Sequence, residues 1–272
     1  MSNAFNPAEK AKRLQRLFPG GKGVWIPIDH GASDYPCEGL DDLEAIITGL
    51  IEAGVDAIVA QKGVVNHYHG LCEGTSTSMV VHYSVSTRHG GVDSSNKVLV
   101  GHADETVSRG GIGVSAQVNM GSPEEAAMIE RMGQLNRDAH HLNLPSFGMV
   151  YARGNNLNPV EGDATNGQIH AVRLAFELGC DAAKTTYIDD EKAFKSLTSS
   201  VPIPVLVAGG PLTTNTVDVL STVEQAMKHG ASGVCMGRQV FAHPNPTAMA
   251  AALVSIVHHG LSAREAVAKH GL

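Results

Sequence analysis

The sequence predicts an α/β protein, a (β/α)8 TIM barrel with extra terminal helices, in one domain spanning residues 1–272. Eight short apolar segments alternate with helical segments along the chain. These segments have no alternating polar face, which is typical of parallel strands covered on both sides. A junction in which a helix ends at glycine and an apolar strand follows recurs at 53–57, 178–182 and 229–233. This repeat of a βα unit favours closure into a barrel.

The eight predicted strands are short and apolar. In chain order they are Val24–Ile28, Ala57–Ala60, Met79–Ser84, Gly111–Val118, Phe147–Tyr151, the segment that contains Lys184, Pro204–Val207 and Gly233–Met236. Helical spacing or capping residues predict helices over Pro7–Phe18, from Leu43 to the glycine at Gly54, over Asp104–Arg109, from Ser122 to Ala139, over Ile169–Leu178, over Pro246–His258 and over Ala263–Lys269.

Two parts of this prediction depend on local signals. At the start of the fourth helix, Ser122, Pro123 and Glu125 are predicted as N-cap, first helical residue and capping-box acid. Between Gln61 and Ser78 no helical period is present, so an irregular connection or one short helix is expected there. Residues 86–96 read as a polar loop.

Composition narrows the functional classes. The 272 residues carry a formal net charge of -7, with a pI near 6.0, so no basic footprint for nucleic acid is present. No segment approaches the roughly 18 continuous apolar residues of a membrane span. Residues 1–4 do not resemble a signal peptide. The four cysteines lack C-x-x-C spacing, so reduced thiols and a cytoplasmic location are expected.

The strongest chemical signal is Lys184, a lysine within a strand-like run of small and β-branched residues. Burial of an ammonium is costly unless it is paired or its pKa falls. An amine whose pKa falls toward roughly 7 to 8 can attack a carbonyl and form an iminium. Strand alternation places Lys184 on the same face as Ala182 and Thr186. The alternative is that the side chain reaches out to water.

Asp29 and Tyr151 are the candidate partners of Lys184, because each ends a predicted barrel strand. In a barrel, these ends converge at one mouth, where chemistry takes place. Iminium chemistry requires an acid/base, assigned to Tyr151, and a charge that positions the amine, assigned to Asp29. The alternatives are that Asp29 caps a helix and that Tyr151 fills the mouth.

Two glycine-rich loops predict a phosphate site. Gly209 and Gly210 follow the seventh strand, and Gly237 and Arg238 follow the eighth. Barrels of this kind usually bind phosphate at these two loops, through backbone N–H groups and here also a guanidinium. Arg153 is a candidate for binding a second anionic group or for fixing the Tyr151 loop. The alternative is that the glycines merely end strands.

Five motifs resemble, in order and spacing, the class I aldolases of the DeoC/FbaB superfamily. They are Pro27-Ile28-Asp29-His30-Gly31, Tyr151-Ala152-Arg153-Gly154, Lys184-Thr185-Thr186-Tyr187, Ala208-Gly209-Gly210 and Gly237-Arg238-Gln239. The resemblance implies that Lys184 forms a Schiff base, that Tyr151 is the acid/base and that Asp29 supports them. It further implies a phosphorylated ketose substrate of the fructose 1,6-bisphosphate or dihydroxyacetone phosphate type, no cofactor, and a homo-oligomer, with large rings in the family. Ala152 stands where the family often has proline.

Other activities of the same fold remain open at this point. Acyl transfer of the autoinducer-2 thiolase type requires a nucleophile, for which Cys72 and Cys235 are candidates. A metal-dependent aldolase or epimerase would use His67, His69 and His82, although no carboxylate-rich ligand set accompanies them. A barrel that binds phosphosugars without catalysis is the third alternative. The choice of donor and acceptor depends on loops such as 61–78 and 151–167.

Overall fold

The computed structural model describes residues 5–210, 212–213 and 215–272, and its centre is a closed barrel of eight parallel strands. The strands are β1 Gly23–Pro27, β2 Ala57–Gln61, β3 Ser78–His82, β4 Ser84–Val85, β5 Val98–Leu99, β6 Gly111–Met120, β7 Ser146–Ala152, β8 Ala182–Thr186, β9 Val205–Ala208 and β10 Gly233–Cys235. The barrel runs β1, β2, β3, β6, β7, β8, β9, β10 and back to β1, while β4 and β5 form a separate antiparallel hairpin. The predicted fold is confirmed.

Helices separate the barrel strands. They are α1 Pro7–Leu17, α2 Leu43–Glu52, α3 Lys62–Tyr68, α4 Glu105–Ser108, α5 Glu125–His141, α6 Gln168–Glu177, α7 Glu191–Ser199, α8 Thr216–Lys228, α9 Arg238–Phe241, α10 Pro246–His259 and α11 Ala263–His270. α3 is the one short helix allowed for residues 61–78. In the described ranges, no helix has the length and apolar character needed to cross a bilayer.

Two local predictions differ from the structure. α5 begins at Glu125, two residues after the predicted start, with Glu124 as its N-cap residue. Ser122 and Glu125 still satisfy backbone donors of the preceding turn: Ser122 Oγ accepts from the Glu124 N–H at 3.2 Å, and the Glu125 carboxylate accepts from the Gly121 N–H. α7 and α8 were expected only in general terms, as helices between strands, and α9 was not predicted.

Aromatic side chains and α1 close the N-terminal end of the barrel. The Trp25 ring contacts those of Phe18 and Phe147, with centroid distances of 5.0 and 4.6 Å. The Trp25 Nε1–H donates to the carbonyl of Leu17, the last residue of α1, at 2.9 Å. These residues belong to an apolar cluster inside the barrel that α1 covers. The interior is therefore packed from below, and access is left at the C-terminal ends of the strands.

Side-chain alternation along β8 determines where Lys184 points. Ala182 belongs to the cluster inside the barrel. Its neighbour Ala183 belongs to the larger cluster between the barrel and the surrounding helices. Because side chains alternate along a strand, Lys184 faces the interior together with Ala182.

We expect Trp25→Ala to destabilise the fold by about 3 to 5 kcal/mol, the usual cost of truncating a buried aromatic side chain. The substitution removes both ring contacts and the hydrogen bond to α1. Urea unfolding followed by circular dichroism measures the change. Val92→Ala is the control, because Val92 is 93% exposed, and should change the free energy of unfolding by no more than about 0.5 kcal/mol. Equal effects of the two substitutions would contradict this account of the barrel base.

Candidate active site

A cavity of about 530 Å³ opens at the C-terminal ends of the barrel strands. All eight residues predicted for the site line it, namely Asp29, Tyr151, Arg153, Lys184, Gly209, Gly210, Gly237 and Arg238. They come from the ends of β1, β7, β8, β9 and β10, which lie far apart in sequence. The convergence expected of a barrel is found.

Lys184 lies in the wall of this cavity rather than at the protein surface. The residue is 8% exposed, so the alternative in which its side chain reaches out to water is wrong. The Cys235 thiol, the Tyr151 hydroxyl and the Asp29 carboxyl act on its amine electrostatically. The amine is therefore buried but accompanied by polar partners from three other strand ends.

The predicted fall in the pKa of Lys184 is wrong. Burial is the largest single effect and lowers the pKa of Lys184, but Cys235, Tyr151 and Asp29 together raise it above its ordinary value. The sequence shows that Lys184 is in a strand, but not that these three groups face it. Burial also raises the pKa of Cys235 to about 11, so this thiol is uncharged near neutral pH. Asp29 is then the anion that opposes the effect of burial.

Asp29 is a carboxylate held without a full set of hydrogen bonds. It begins a short 3-10 turn, Asp29–Ala32, that follows β1 and has no side-chain cap. Its Oδ1 lies 3.5 Å from His30 Nδ1, and its Oδ2 lies 3.6 Å from His82 Nε2. Both Asp29 Oδ1 and His30 Nδ1 are buried without a hydrogen-bond partner among the described residues. The capping alternative is therefore not supported.

The charge on Asp29 is maintained by its neighbours. Burial raises the pKa of Asp29, but His82, His30 and Lys184 act in the opposite direction, and the net pKa is below its usual value. Asp29 is therefore ionised across the neutral range and faces the Lys184 amine as an anion.

Tyr151 and Arg153 form a second wall of the cavity at the end of β7. The Arg153 guanidinium lies over the Tyr151 ring, 4.6 Å from its centroid. Its Nε donates to Asn119 Oδ1 of β6 at 2.9 Å. Gly154 allows this arrangement, because a Cβ at this position would lie 1.9 Å from the Gly121 carbonyl carbon. The close backbone approach fixes where Tyr151 and Arg153 project.

The two predicted glycine loops lie side by side. Gly210 has a φ of +66°, and a Cβ on Gly237 would lie 2.6 Å from the Pro27 carbonyl oxygen. Gln239 joins the loops, because its Nε2 donates to the Gly209 carbonyl at 3.2 Å. Arg238 lines the cavity at the start of α9. The cavity wall at this end is therefore glycine backbone with one guanidinium beside it.

Several residues of the site were not predicted in the positions that they occupy around Lys184 and Asp29. His30 and Cys235 line the cavity, and His82 and Lys97 act on Asp29 from behind and beside it. Lining side chains of β6, α6 and β8 complete this set, namely Gln117, Gln168 and Thr185. The position of His30 next to Asp29 was a usable signal. Lys97 gave none, because it lies in a polar loop without a period.

The residues named for the alternative activities are distributed differently. Cys72 ends the 3-10 turn after α3 and does not line the cavity. Cys235 lines it but is a neutral thiol. His67 belongs to α3 and His69 to the turn that follows, while His82 is buried in the barrel. Over the described ranges, no group of three or more histidine, cysteine or acidic residues is arranged to hold a metal ion.

Comparison with known proteins agrees with this geometry. A family model for DeoC/LacD family aldolases matches residues 24–243. A 2-amino-3,7-dideoxy-D-threo-hept-6-ulosonate synthase of Halobacterium salinarum is 35% identical over 97% of both chains. A class 1 fructose-bisphosphate aldolase of Thermoproteus tenax is 31% identical over 93% of this chain and 96% of its own.

A solved structure extends the comparison to three dimensions. An archaeal fructose-1,6-bisphosphate aldolase, described with its catalytic lysine covalently bound to the carbinolamine intermediate of the substrate, superimposes with a TM-score of 0.79. It is 29% identical, and the match covers 91% of this chain and 99% of that one. The predicted resemblance and the predicted class of enzyme are both confirmed. The chain belongs to the DeoC/LacD family of aldolases and is an aldolase of class I, the class that works through a Schiff base.

Proposed function

We propose that Lys184 is the nucleophile that forms a Schiff base with the carbonyl of a phosphorylated ketose. The observation that carries the proposal is that Lys184, Tyr151 and Asp29 line one cavity. The same cavity is lined by the two glycine loops and by Arg238. An amine, an acid/base and a fixed anion at one point are the groups that iminium formation requires.

The first half of the reaction needs no net loss of a proton. The Lys184 ammonium first passes one proton to the acid/base, Tyr151, and the neutral nitrogen attacks the ketone carbon. A proton then moves from the nitrogen to the carbonyl oxygen to give a carbinolamine, and Tyr151 returns its proton as water leaves, which gives a cationic iminium. An ammonium and a ketone thus become an iminium and water. The Asp29 carboxylate stabilises both the ammonium and the iminium. The interaction that raises the pKa of the amine therefore also stabilises the product of this half of the reaction. A raised pKa of Lys184 is therefore compatible with the formation of a Schiff base.

The second half breaks a carbon–carbon bond. Tyr151 removes the proton of the hydroxyl on the β carbon, the bond to the α carbon breaks, and its electron pair neutralises the iminium to an enamine. An aldehyde leaves. Protonation of the enamine carbon and addition of water then return the ketone product and the Lys184 ammonium. Tyr151 and Lys184 line the same cavity and interact electrostatically, so the acid/base is close to the reacting carbons.

The two ends of the cavity suit a substrate with two polar ends. The proposed phosphate site consists of Gly209, Gly210, Gly237 and Arg238. At the other wall of the cavity, Arg153 is proposed to bind a second anionic group. Fructose 1,6-bisphosphate has this form. Attack of the enamine on a second aldehyde would instead give transfer, the outcome suggested by similarity to the Halobacterium salinarum synthase. Both outcomes share the steps at Lys184, and the class I aldolase cleavage reaction is the one proposed first.

Borohydride trapping tests the role of Lys184. With dihydroxyacetone phosphate, reduction should add one substrate to the peptide that contains Lys184, and Lys184→Met should abolish both the adduct and turnover. Lys62→Met is the matched control, because Lys62 pairs with Glu105 at 3.1 Å outside the cavity, and should retain both. Mass spectrometry locates the adduct. An adduct on another lysine, or normal turnover by Lys184→Met, would overturn the assignment.

Tyr151→Phe should behave differently from Lys184→Met. The nucleophile is retained, so trapping with dihydroxyacetone phosphate should persist, while turnover of fructose 1,6-bisphosphate should fall by about 10² to 10⁴, the usual effect of removing a general acid/base. Steady-state rates and the extent of labelling are compared on the same preparations. Loss of labelling in parallel with turnover would show that Tyr151 serves the formation of the Schiff base rather than bond cleavage. Added EDTA should change neither quantity.

Arg238→Ala tests the phosphate site. Loss of a contact that is equal in ground and transition states raises KM and leaves kcat nearly unchanged. We expect KM for fructose 1,6-bisphosphate to rise about 10-fold to 100-fold, as for a charged hydrogen bond. Arg264→Ala, on the exposed face of α11, is the control and should leave KM unaltered. An unchanged KM in Arg238→Ala would place the phosphate elsewhere.

We also propose a homo-oligomer in the cytoplasm. The support is the family resemblance, the four cysteines present as free thiols, and exposed apolar side chains on loops, such as Val92 and Val160. Sedimentation velocity at micromolar concentration is expected to show an assembly larger than the 28.5 kDa chain. A single species of monomer mass would contradict the oligomer.

A further inference from the structure

His82 is a buried histidine that the reaction described above does not use. It ends β3, is 2% exposed, and lies behind Asp29 as seen from the cavity, which it does not line. A titratable side chain buried this deeply requires partners for both ring nitrogens. The two neighbours of the His82 ring are Ser115 on β6 and Asp29.

The contacts with Asp29 and Ser115 together indicate which ring nitrogen carries the proton. Ser115 Oγ lies 2.7 Å from His82 Nδ1. The Nε2 atom lies 3.6 Å from Asp29 Oδ2, and an unprotonated nitrogen would place its lone pair against the carboxylate. The arrangement without repulsion has the Ser115 hydroxyl donating to Nδ1 and the hydrogen on Nε2 directed at Asp29. At 3.6 Å this contact is electrostatic and longer than a hydrogen bond.

The ring acts on Asp29 as a neutral imidazole. Burial lowers the pKa of His82, and the Lys184 and Lys97 cations lower it further, against the opposing effect of Asp29. A neutral ring with its hydrogen on Nε2 orients the carboxylate without neutralising it. Asp29 Oδ1, which is buried without a hydrogen-bond partner among the described residues, is the carboxylate oxygen that His82 does not approach.

We propose that His82 is a positioning residue: Asp29 and Ser115 together fix its tautomer, and its Nε2–H holds the Asp29 carboxylate in the orientation that faces the Lys184 iminium. The inference rests on the proposed role of Lys184 and extends the site by two residues that do not touch substrate. His82 and Ser115 would thus hold Asp29 as outer residues hold a functional side chain in orientation at other sites.

Two substitutions separate positioning from simple packing. His82→Leu fills a similar volume but has no donor, while His82→Gln restores an N–H at a similar reach. Without the donor the pKa of Asp29 rises, so the acid limb of the kcat/KM profile should move upward by about one pH unit, equivalent to about tenfold in rate below the limb. His82→Gln should return most of this shift, and Ser115→Ala should produce part of it.

Other groups also act on Asp29 and must stay constant in this test. The titratable and charged groups that face Asp29 are His30 in the turn after β1, His82 on β3, Lys97 before β5, Lys184 on β8 and Cys235 on β10. Tyr83→Phe is the matched control. Tyr83 is the next residue after His82 and is fully buried. Its hydroxyl is hydrogen-bonded to Thr106 Oγ1 at a distance of 2.9 Å, and not to Asp29. It should destabilise the fold slightly and leave the acid limb in place.

Long-range proton–nitrogen NMR of the imidazole rings provides a readout that does not depend on activity. The His82 signals, assigned by their loss in His82→Gln, should show the neutral tautomer with hydrogen on Nε2, and Ser115→Ala should broaden or mix the tautomers. An Nδ1–H tautomer or a charged ring at pH 7 would overturn the proposal. So would an equal loss of rate in His82→Leu and His82→Gln with an unmoved acid limb.

The outcome for His82 is distinguishable from that for the proposed reaction. If borohydride fails to trap dihydroxyacetone phosphate on wild-type Lys184, the proposed reaction is wrong, while the NMR result still decides the tautomer of His82. If trapping succeeds but the tautomer or the pH profile is wrong, the role of His82 alone is refuted.

Discussion

The interaction on which this site depends is the burial of the Lys184 amine opposite the Asp29 carboxylate. Burial of a charged group costs several kcal/mol in desolvation, and nearby groups of opposite charge offset that cost. The same burial that disfavours the ammonium also strengthens its attraction to Asp29, because little water screens them. Since the ammonium and the proposed iminium are both cations, one carboxylate would stabilise the resting enzyme and its intermediate. A site that lowered the lysine pKa would not stabilise both cations with the same carboxylate.

The barrel supports that pair by closing one end and opening the other. Aromatic packing beneath the site, with Trp25 between Phe18 and Phe147, keeps water out of the lower interior. Parallel strands in register then deliver their C-terminal ends to one level: Met149 of β7 is opposite Lys184 of β8, and Lys184 is opposite Leu206 of β9. Two residues beyond Met149, on the same face, Tyr151 reaches the cavity. The relative position of Lys184 and Tyr151 thus follows from strand register rather than from loops.

This dependence explains how far the sequence could predict the structure. Strand ends are visible as apolar runs followed by glycine or by an acid, so the barrel rule brought Asp29, Tyr151 and Lys184 together without coordinates. Electrostatics could not be predicted in the same way. The direction of the Lys184 pKa depends on Cys235 and on the orientation of Asp29, and neither follows from strand position. His82 could be recognised as a candidate in the sequence, but a single histidine at a strand end does not indicate whether it faces a metal, water or a carboxylate.

The part of the site that sequence reasoning could not place is the segment between β3 and β6. The β4–β5 hairpin and the turns at 88–95 are too short and irregular to show a period, but they carry Lys97 to the neighbourhood of Arg153. Arg131 of α5 holds this segment by donating to the Lys97 carbonyl at 2.9 Å. Lys184 and Tyr151 therefore stand on barrel strands and Asp29 on the turn that follows β1, while Lys97, a cation near the second wall, stands outside the barrel strands. The second wall can therefore change without moving the strands that carry Lys184 and Tyr151.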